Sequence, residues 1–235
     1  MNVTYIHHSC FLTETGSCYY LFDYDQGPLP ALNPRKPILV LASHGHSDHY
    51  RPAVFSILRE MGMVSIHAVL SRDIPLKTVP GDISCTAVSA CERDTLPQGQ
   101  QLVTFRSTDE GVAFLIQDGQ ELIYHAGDLN DWVWEGEPDA DNRRMTESYR
   151  RQITLLAEEL GGRSLTAAFV VLDPRQEKDY DRGMLYFLRH IEGNRVYPMH
   201  YWGNPQIIDR FLQEHPQYRS RIMLTEQAHS ESTDF

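Results

Sequence analysis

Apolar residues in the first part of the chain fall into short, closely spaced runs. Val3–Ile6, Phe11–Thr15 and Cys18–Asp23 are rich in β-branched and aromatic residues and predict three strands. Gly16-Ser17 separates the last two as a hairpin turn. From Gly27 to Pro37 the chain is turn-rich, with four prolines. Ile38–Ala42 is then wholly apolar, the mark of a strand buried on both faces. Pro52 opens a helix running to about Met61, and Val64–Leu70 predicts another buried strand.

Further strands are expected at Ile83–Val88, Leu102–Arg106, Val112–Gln117 and Glu121–His125. The last two are joined by an Asp-Gly hairpin within Gln117-Asp118-Gly119-Gln120. A helical period spans Asn142–Leu160 and stops at Gly161-Gly162. Leu165–Leu172 (strand), Arg182–Ile191 (helix), Arg195–Pro198 (strand), Pro205–Glu214 (helix) and Arg221–Leu224 (closing strand) complete the pattern. Two strand-rich halves, each followed by helices, imply an α/β fold of two stacked sheets with helices outside.

The 235 residues suit a single domain over 1–235, able to bury a large core without disulfides. The net charge of −11 and the lack of a basic run disfavour a general nucleic-acid or membrane-surface binder. The N-terminus lacks the basic and apolar regions of a signal peptide, and no apolar run reaches membrane-spanning length. Cys10, Cys18, Cys85 and Cys91 form no CxxC pair and read as reduced thiols, so a cytoplasmic location is expected. Oligomeric state is not legible.

Candidate chemistry concentrates in Ser43-His44-Gly45-His46-Ser47-Asp48-His49, between a buried strand and a helix. Three imidazoles and a carboxylate this close are costly to pack unless something holds them. A loop leaving a strand end can turn His44 and His46 toward one point and Asp48 and His49 toward another. Neutral imidazoles and carboxylates suit zinc, and also iron or manganese. No GxSxG elbow, phosphate-binding Gly-rich loop or dinucleotide fingerprint competes.

These residues match HxHxDH, and the chain thereby resembles the metallo-β-lactamase superfamily. Ile123–Asp128 resembles the strand ending in that family's bridging aspartate, and Val196–Tyr201 the strand supplying its last histidine. His8-Ser9-Cys10-Phe11-Leu12 looks like the opening of the branch that contains ascorbate-lactonase-like proteins. The resemblance implies the four-layered αββα sandwich. It places a first divalent ion, zinc before manganese or ferrous iron, on His44 and His46. A second falls on Asp48, His49 and His200, with Asp128 bridging. A carboxylate has two oxygens and can span ions about 3.5–4 Å apart. His8 would line the site or support a ligand.

One element of the pattern is missing. The family places a further histidine just before the strand written here as Val112–Gln117, where this chain reads Arg106-Ser107-Thr108-Asp109-Glu110-Gly111. Asp109 could supply an oxygen in its place, water could fill the position, or the segment is a plain turn. Asp131-Trp132-Val133-Trp134 could wall a substrate cleft or simply pack on the body. Asp173 could orient a ligand histidine or cap its loop.

The resulting expectation is a metal-dependent hydrolase in which a metal-bound hydroxide, oriented by Asp48, attacks an ester-type bond in a small anionic substrate, a phosphodiester or a lactone. The alternative, motivated by the missing histidine, is a non-catalytic metal binder or sensor of the same fold.

Overall fold

A computed structural model describes residues 1–224. Among them, twelve strands and four α-helices occur in the order β1 (Asn2–His7), β2 (Cys10–Glu14), β3 (Tyr19–Phe22), β4 (Ile38–Ala42), α1 (Val54–Glu60), β5 (Ile66–Ser71), β6 (Ser84–Val88), β7 (Arg93–Thr95), β8 (Gln101–Arg106), β9 (Val112–Asp118), β10 (Glu121–His125), α2 (Asp139–Leu160), β11 (Ala167–Val171), α3 (Arg182–His190), β12 (Val196–Met199) and α4 (Gln206–Glu214). The strands form two six-stranded sheets, ordered β1-β2-β3-β4-β5-β6 and β12-β11-β10-β9-β8-β7. Pairing is antiparallel from β1 to β3 and parallel from β3 to β6. In the second sheet it is antiparallel from β7 to β10 and parallel from β10 to β12.

The alternation of side chains explains the layering. In β3 and β4, Tyr20, Phe22, Leu39 and Leu41 join one apolar cluster with residues of the second sheet. Tyr19, Leu21, Ile38, Val40 and Ala42 point the other way, onto Val54, Phe55 and Leu58 of α1. Helices α2, α3 and α4 close the far side of the second sheet through Ile153, Phe187 and Phe211. With both faces covered, β4 must be apolar at every position, which is why its periodicity vanishes. The architecture is the expected αββα sandwich.

Four element expectations need correction. Arg221–Leu224 is not a strand; it touches the sheet only through a Val196–Ile222 bridge. Strand β7, Arg93–Thr95, was not expected, because an exposed edge strand carries no apolar signal. Helix α2 starts at Asp139 rather than Asn142. Val64, exposed, precedes β5 rather than belonging to it. No helix among the described residues is long and apolar enough to cross a membrane. His229, expected at the surface, lies outside the described residues.

His67 of β5 belongs to the fold and not to the site. Its Nδ1 meets Ser84 Oγ at 2.7 Å and its Nε2 meets Thr86 Oγ1 at 2.9 Å. Burial lowers its pKa below the ordinary histidine value. The unfolded chain therefore takes up this proton first, and stability is lost as pH falls through about 6.5. Denaturant midpoints measured at pH 7.5 and 5.5 should show a smaller fall for His67→Asn than for the unaltered protein; equal falls would exclude the assignment.

Candidate metal centre

The parallel strands β3, β4, β10, β11 and β12 all deliver their carboxyl ends to one region, the usual place for a site in α/β sheets. Asp23 follows β3, the His44–His49 loop follows β4, Asp128 follows β10, Asp173 follows β11 and His200 follows β12. His8 enters from the β1–β2 turn, where the pairing register shifts, and its carbonyl accepts from the His200 backbone N–H at 3.3 Å. His8, Asp23 and His200 all hold positive φ, at 45°, 43° and 66°. Backbone held there costs on the order of 1–3 kcal/mol per residue and persists only where the surroundings impose it.

Donor atoms gather in two groups. One ligand atom each from His8, Asp48, His49 and His200 lie within 4.8 Å of one another, as do those of His44, His46 and Asp128. Asp128 stands between them. Its Oδ1 is 3.1 Å from His49 Nε2 and 3.3 Å from His200 Nε2, while Oδ2 is 3.6 Å from His44 Nε2. His44 Nε2 and His46 Nδ1 are 3.1 Å apart. Asp48, a third exposed, points Oδ2 to within 3.7 Å of His8 Nε2.

Two buried carboxylates set the ring orientations. Asp23 Oδ2 takes the His49 Nδ1 proton at 2.9 Å, and Asp173 Oδ2 takes that of His200 at 2.9 Å. Each ring therefore presents Nε2 to the centre. Asp23 is itself fixed by the Ser43 backbone N–H and hydroxyl, both at 2.7 Å. Despite their proximity, His8 Nε2, His49 Nε2, His200 Nε2 and Asp128 Oδ1 are buried without a hydrogen-bond partner. Buried polar atoms are almost always satisfied, and four orphans facing one point fit a cation.

Electrostatics agree. Burial pushes the Asp128 carboxyl up, but the neighbouring imidazoles of His49 and His200 outweigh it and hold the group well below the usual carboxylate range. Burial opposes charge on His49, yet Asp128 and Asp23 raise it well above the ordinary histidine value. Asp128 and Asp173 raise His200 in the same way against its burial. His8 moves oppositely, down to about 2, because burial and then the neighbouring His200 and His49 disfavour its charged form. The cluster thus holds protons where a divalent ion would displace them.

The remaining expected residues separate. Asp109 is not in either donor group; its backbone N–H bonds Ser107 Oγ, and the residue lines the cleft beside Asp128. Glu110, which sequence reasoning passed over, comes within 3.6 Å of His46 Nε2. His125 is a core residue: it stacks on Phe22, its Nε2 donates to Ser9 O, and its Nδ1 accepts from the Gly127 N–H. His190 is exposed, whereas His215, expected at the surface, is half-buried against Asp181. Trp132 and Trp134 stack on each other and do line the cleft. Asp23 and Trp202 were also missed. An aspartate at the end of a wholly apolar strand was the available signal for Asp23.

Two glycines let the loops close over this centre. A Cβ on Gly111, at φ +69°, would lie 1.9 Å from Ser43 O, and one on Gly127 would lie 2.7 Å from Ser43 Cβ. Gly111→Ala is expected to displace the β8–β9 loop from His44 and cost about 2 kcal/mol or more. Thermal unfolding should show that loss together with weaker zinc retention against a chelator; an unchanged Tm would refute the close approach.

Comparison with known proteins agrees with this fold. Residues 2–140 match the family model described as a beta-lactamase superfamily domain. A "UPF0173 metal-dependent hydrolase" of Methylacidiphilum infernorum is 28% identical over 146 residues, which cover 54% of this chain and 62% of that protein, less than two thirds of its length. The structure of Igni18, a metallo hydrolase from Ignicoccus hospitalis, superposes with a TM-score of 0.67 at 17% identity, over 95% of this chain and 94% of that one. CmlA, a diiron beta-hydroxylase from Streptomyces venezuelae, shares the fold at a TM-score of 0.60 and 15% identity, over 95% of this chain and 52% of its own. From a family match covering more than half its length, this chain belongs to the metallo-β-lactamase superfamily.

Proposed function

We propose that this chain is a metal-dependent hydrolase of ester-type bonds, lactone or phosphodiester, in small anionic molecules of the cytoplasm. The observation carrying the reading is the convergence of four orphaned, buried donor atoms, those of His8, His49, His200 and Asp128. The donor set is rich in imidazole with few carboxylates, which suits zinc. His44 and His46 would hold one ion, Asp48, His49 and His200 the other, and Asp128 both, with His8 and Glu110 closest to completing them. The relative's description as a metal-dependent hydrolase supports the activity. Four free cysteines are in keeping with a reducing compartment.

Such ions, when bound, lower the pKa of water and polarise the carbonyl or phosphoryl oxygen. The chain's own contribution is placement. Asp23 and Asp173 lock the ligand rings, Asp128 faces both donor groups, and Trp132 and Trp134 form an apolar wall. Asp48, partly open to solvent, is positioned to take the water's proton and pass it outward. Two divalent ions held by Asp48 and Asp128 with one hydroxide would leave a formal charge of about +1, which draws anions, and a ligating Glu110 would weaken that draw.

Purified protein should contain about one or two divalent ions per chain, removable by chelation and restored by zinc. Asp48→Asn should keep its fold while lowering turnover on lactone or phosphodiester substrates about 10²–10⁴-fold. Metal content by mass spectrometry and hydrolysis assays check this. Protein that takes up no zinc, manganese or ferrous iron would sink the metal centre; metal uptake without turnover on any ester would favour the non-catalytic binder.

A further inference from the structure

We propose that Arg175 is a substrate-recognition residue that receives a carboxylate of the substrate beside Trp134 and Trp202. The inference rests on the hydrolase reading of the same cleft and deepens it. Arg175 lies two residues beyond Asp173, at the start of the short 3-10 helix that follows β11. It lines a cleft of about 220 Å³ with Asp109, Asp128, Trp132, Trp134 and His200.

A guanidinium has two edges that can each bind a carboxylate in bidentate fashion. In Arg175 one is taken: Nε donates to both Asp173 oxygens at 3.0 Å, and Nη2 donates to Asp173 Oδ2 at 2.5 Å. The other edge, formed by Nη1 and the outer N–H of Nη2, meets no acceptor among the described residues. The side chain is 48% exposed, so this edge is open to a ligand. Its plane is held as well. The Trp202 ring centroid is 4.4 Å from Cζ and that of Trp134 is 5.9 Å away.

Asp173 serves more than Arg175. It also accepts from His200 Nδ1 and from Trp202 Nε1 at 3.2 Å, so its two oxygens are shared among three residues. Arg175 is thereby fixed in advance, and a ligand bound to it need not freeze a mobile side chain. Nor does the arginine have a structural need for its second edge.

The free edge matches one flat, singly charged carboxylate. A phosphomonoester dianion would bring a second charge beside Asp109, where Arg175 is the one lysine or arginine lining the cleft. With the acid on Arg175, the rest of a small molecule lies along the tryptophan wall toward Asp128 and His200. The substrate class is therefore a small carboxylic acid that also carries the scissile ester, such as a carboxylated lactone.

The test titrates zinc-loaded protein with benzoate, benzamide and methyl phosphate by calorimetry. Benzoate is expected to bind about tenfold or more tighter than benzamide. Arg175→Gln should remove about that tenfold and leave benzamide unchanged, and Arg175→Lys, which keeps a charge for Asp173 but loses the fork, should lose somewhat less. With a γ-carboxylated butyrolactone and its methyl ester, Arg175→Lys should raise KM for the acid alone, with kcat and zinc content preserved. Equal losses for acid and ester, benzoate affinity independent of Arg175, or tighter Arg175-dependent binding of methyl phosphate would each overturn the proposal. Arg175-dependent benzoate binding in a protein that hydrolyses no ester would instead leave this subsite standing while the hydrolase reading falls.

Discussion

Asp128 is buried among imidazoles that would repel one another if they were all charged, and everything around it serves to keep that arrangement intact. One of its oxygens faces His49 and His200, the other His44. The imidazoles can converge because Asp23 and Asp173 hold the Nδ1 atoms of His49 and His200 from behind. Remove either outer carboxylate and its ring is free to turn, leaving Asp128 with a charge that burial disfavours. The centre is thus a chain of carboxylate, imidazole and carboxylate whose ends are anchored in opposite sheets, Asp23 after β3 of the first and Asp173 after β11 of the second.

That anchoring explains why the sandwich matters to the chemistry. The two sheets meet through a continuous apolar layer that includes Phe11, Phe22, Phe114 and Phe169. Any sliding of one sheet over the other would separate His49 and His44, on the first, from Asp128 and His200, on the second. Direct ties reinforce the registry at the site itself. The Val112 N–H donates to Ser43 O, and the His200 N–H donates to His8 O. Glycine at 111 and 127 allows the backbones to come this near. Strained φ values at His8, Asp23 and His200 show that the loops yield to the site and not the reverse.

How much of this was legible in the sequence follows from how local each signal is. Ile38–Ala42 was readable as a buried strand because both of its faces are covered. The His44–His49 cluster was readable because its residues are neighbours in sequence and share no structural excuse. Arg93–Thr95 was not, since an edge strand with every side chain exposed looks like a loop. Arg221–Leu224 carried a strand-like composition but finds only a bridge to pair with. Asp23 and Glu110 escaped because their roles depend on partners 26 and 64 residues away, at His49 and His46. Asp109 and Glu110 are adjacent and both acidic, so only the turn geometry tells which faces His46 and which faces the cleft.

The same distinction bears on the histidine absent from its usual place. The β8–β9 loop does not leave a void there: Gly111 packs on Ser43 and His44, and Glu110 stands at the half-exposed His46. An imidazole would add a neutral, rigid donor, whereas a glutamate adds charge on a flexible stem. The first donor group therefore has one buried face, formed by His44 and Asp128, and one solvent-facing side, formed by His46 and Glu110. The second group, with His8, His49 and His200 all buried, opens toward Asp48 and toward the cleft that His200 lines. Burial strengthens each donor by removing competing water, so the asymmetry ranks the two positions. An ion would be held more tightly by the second group, between the sheets beneath Asp48, than by the first at the mouth, where Glu110 stands beside His46.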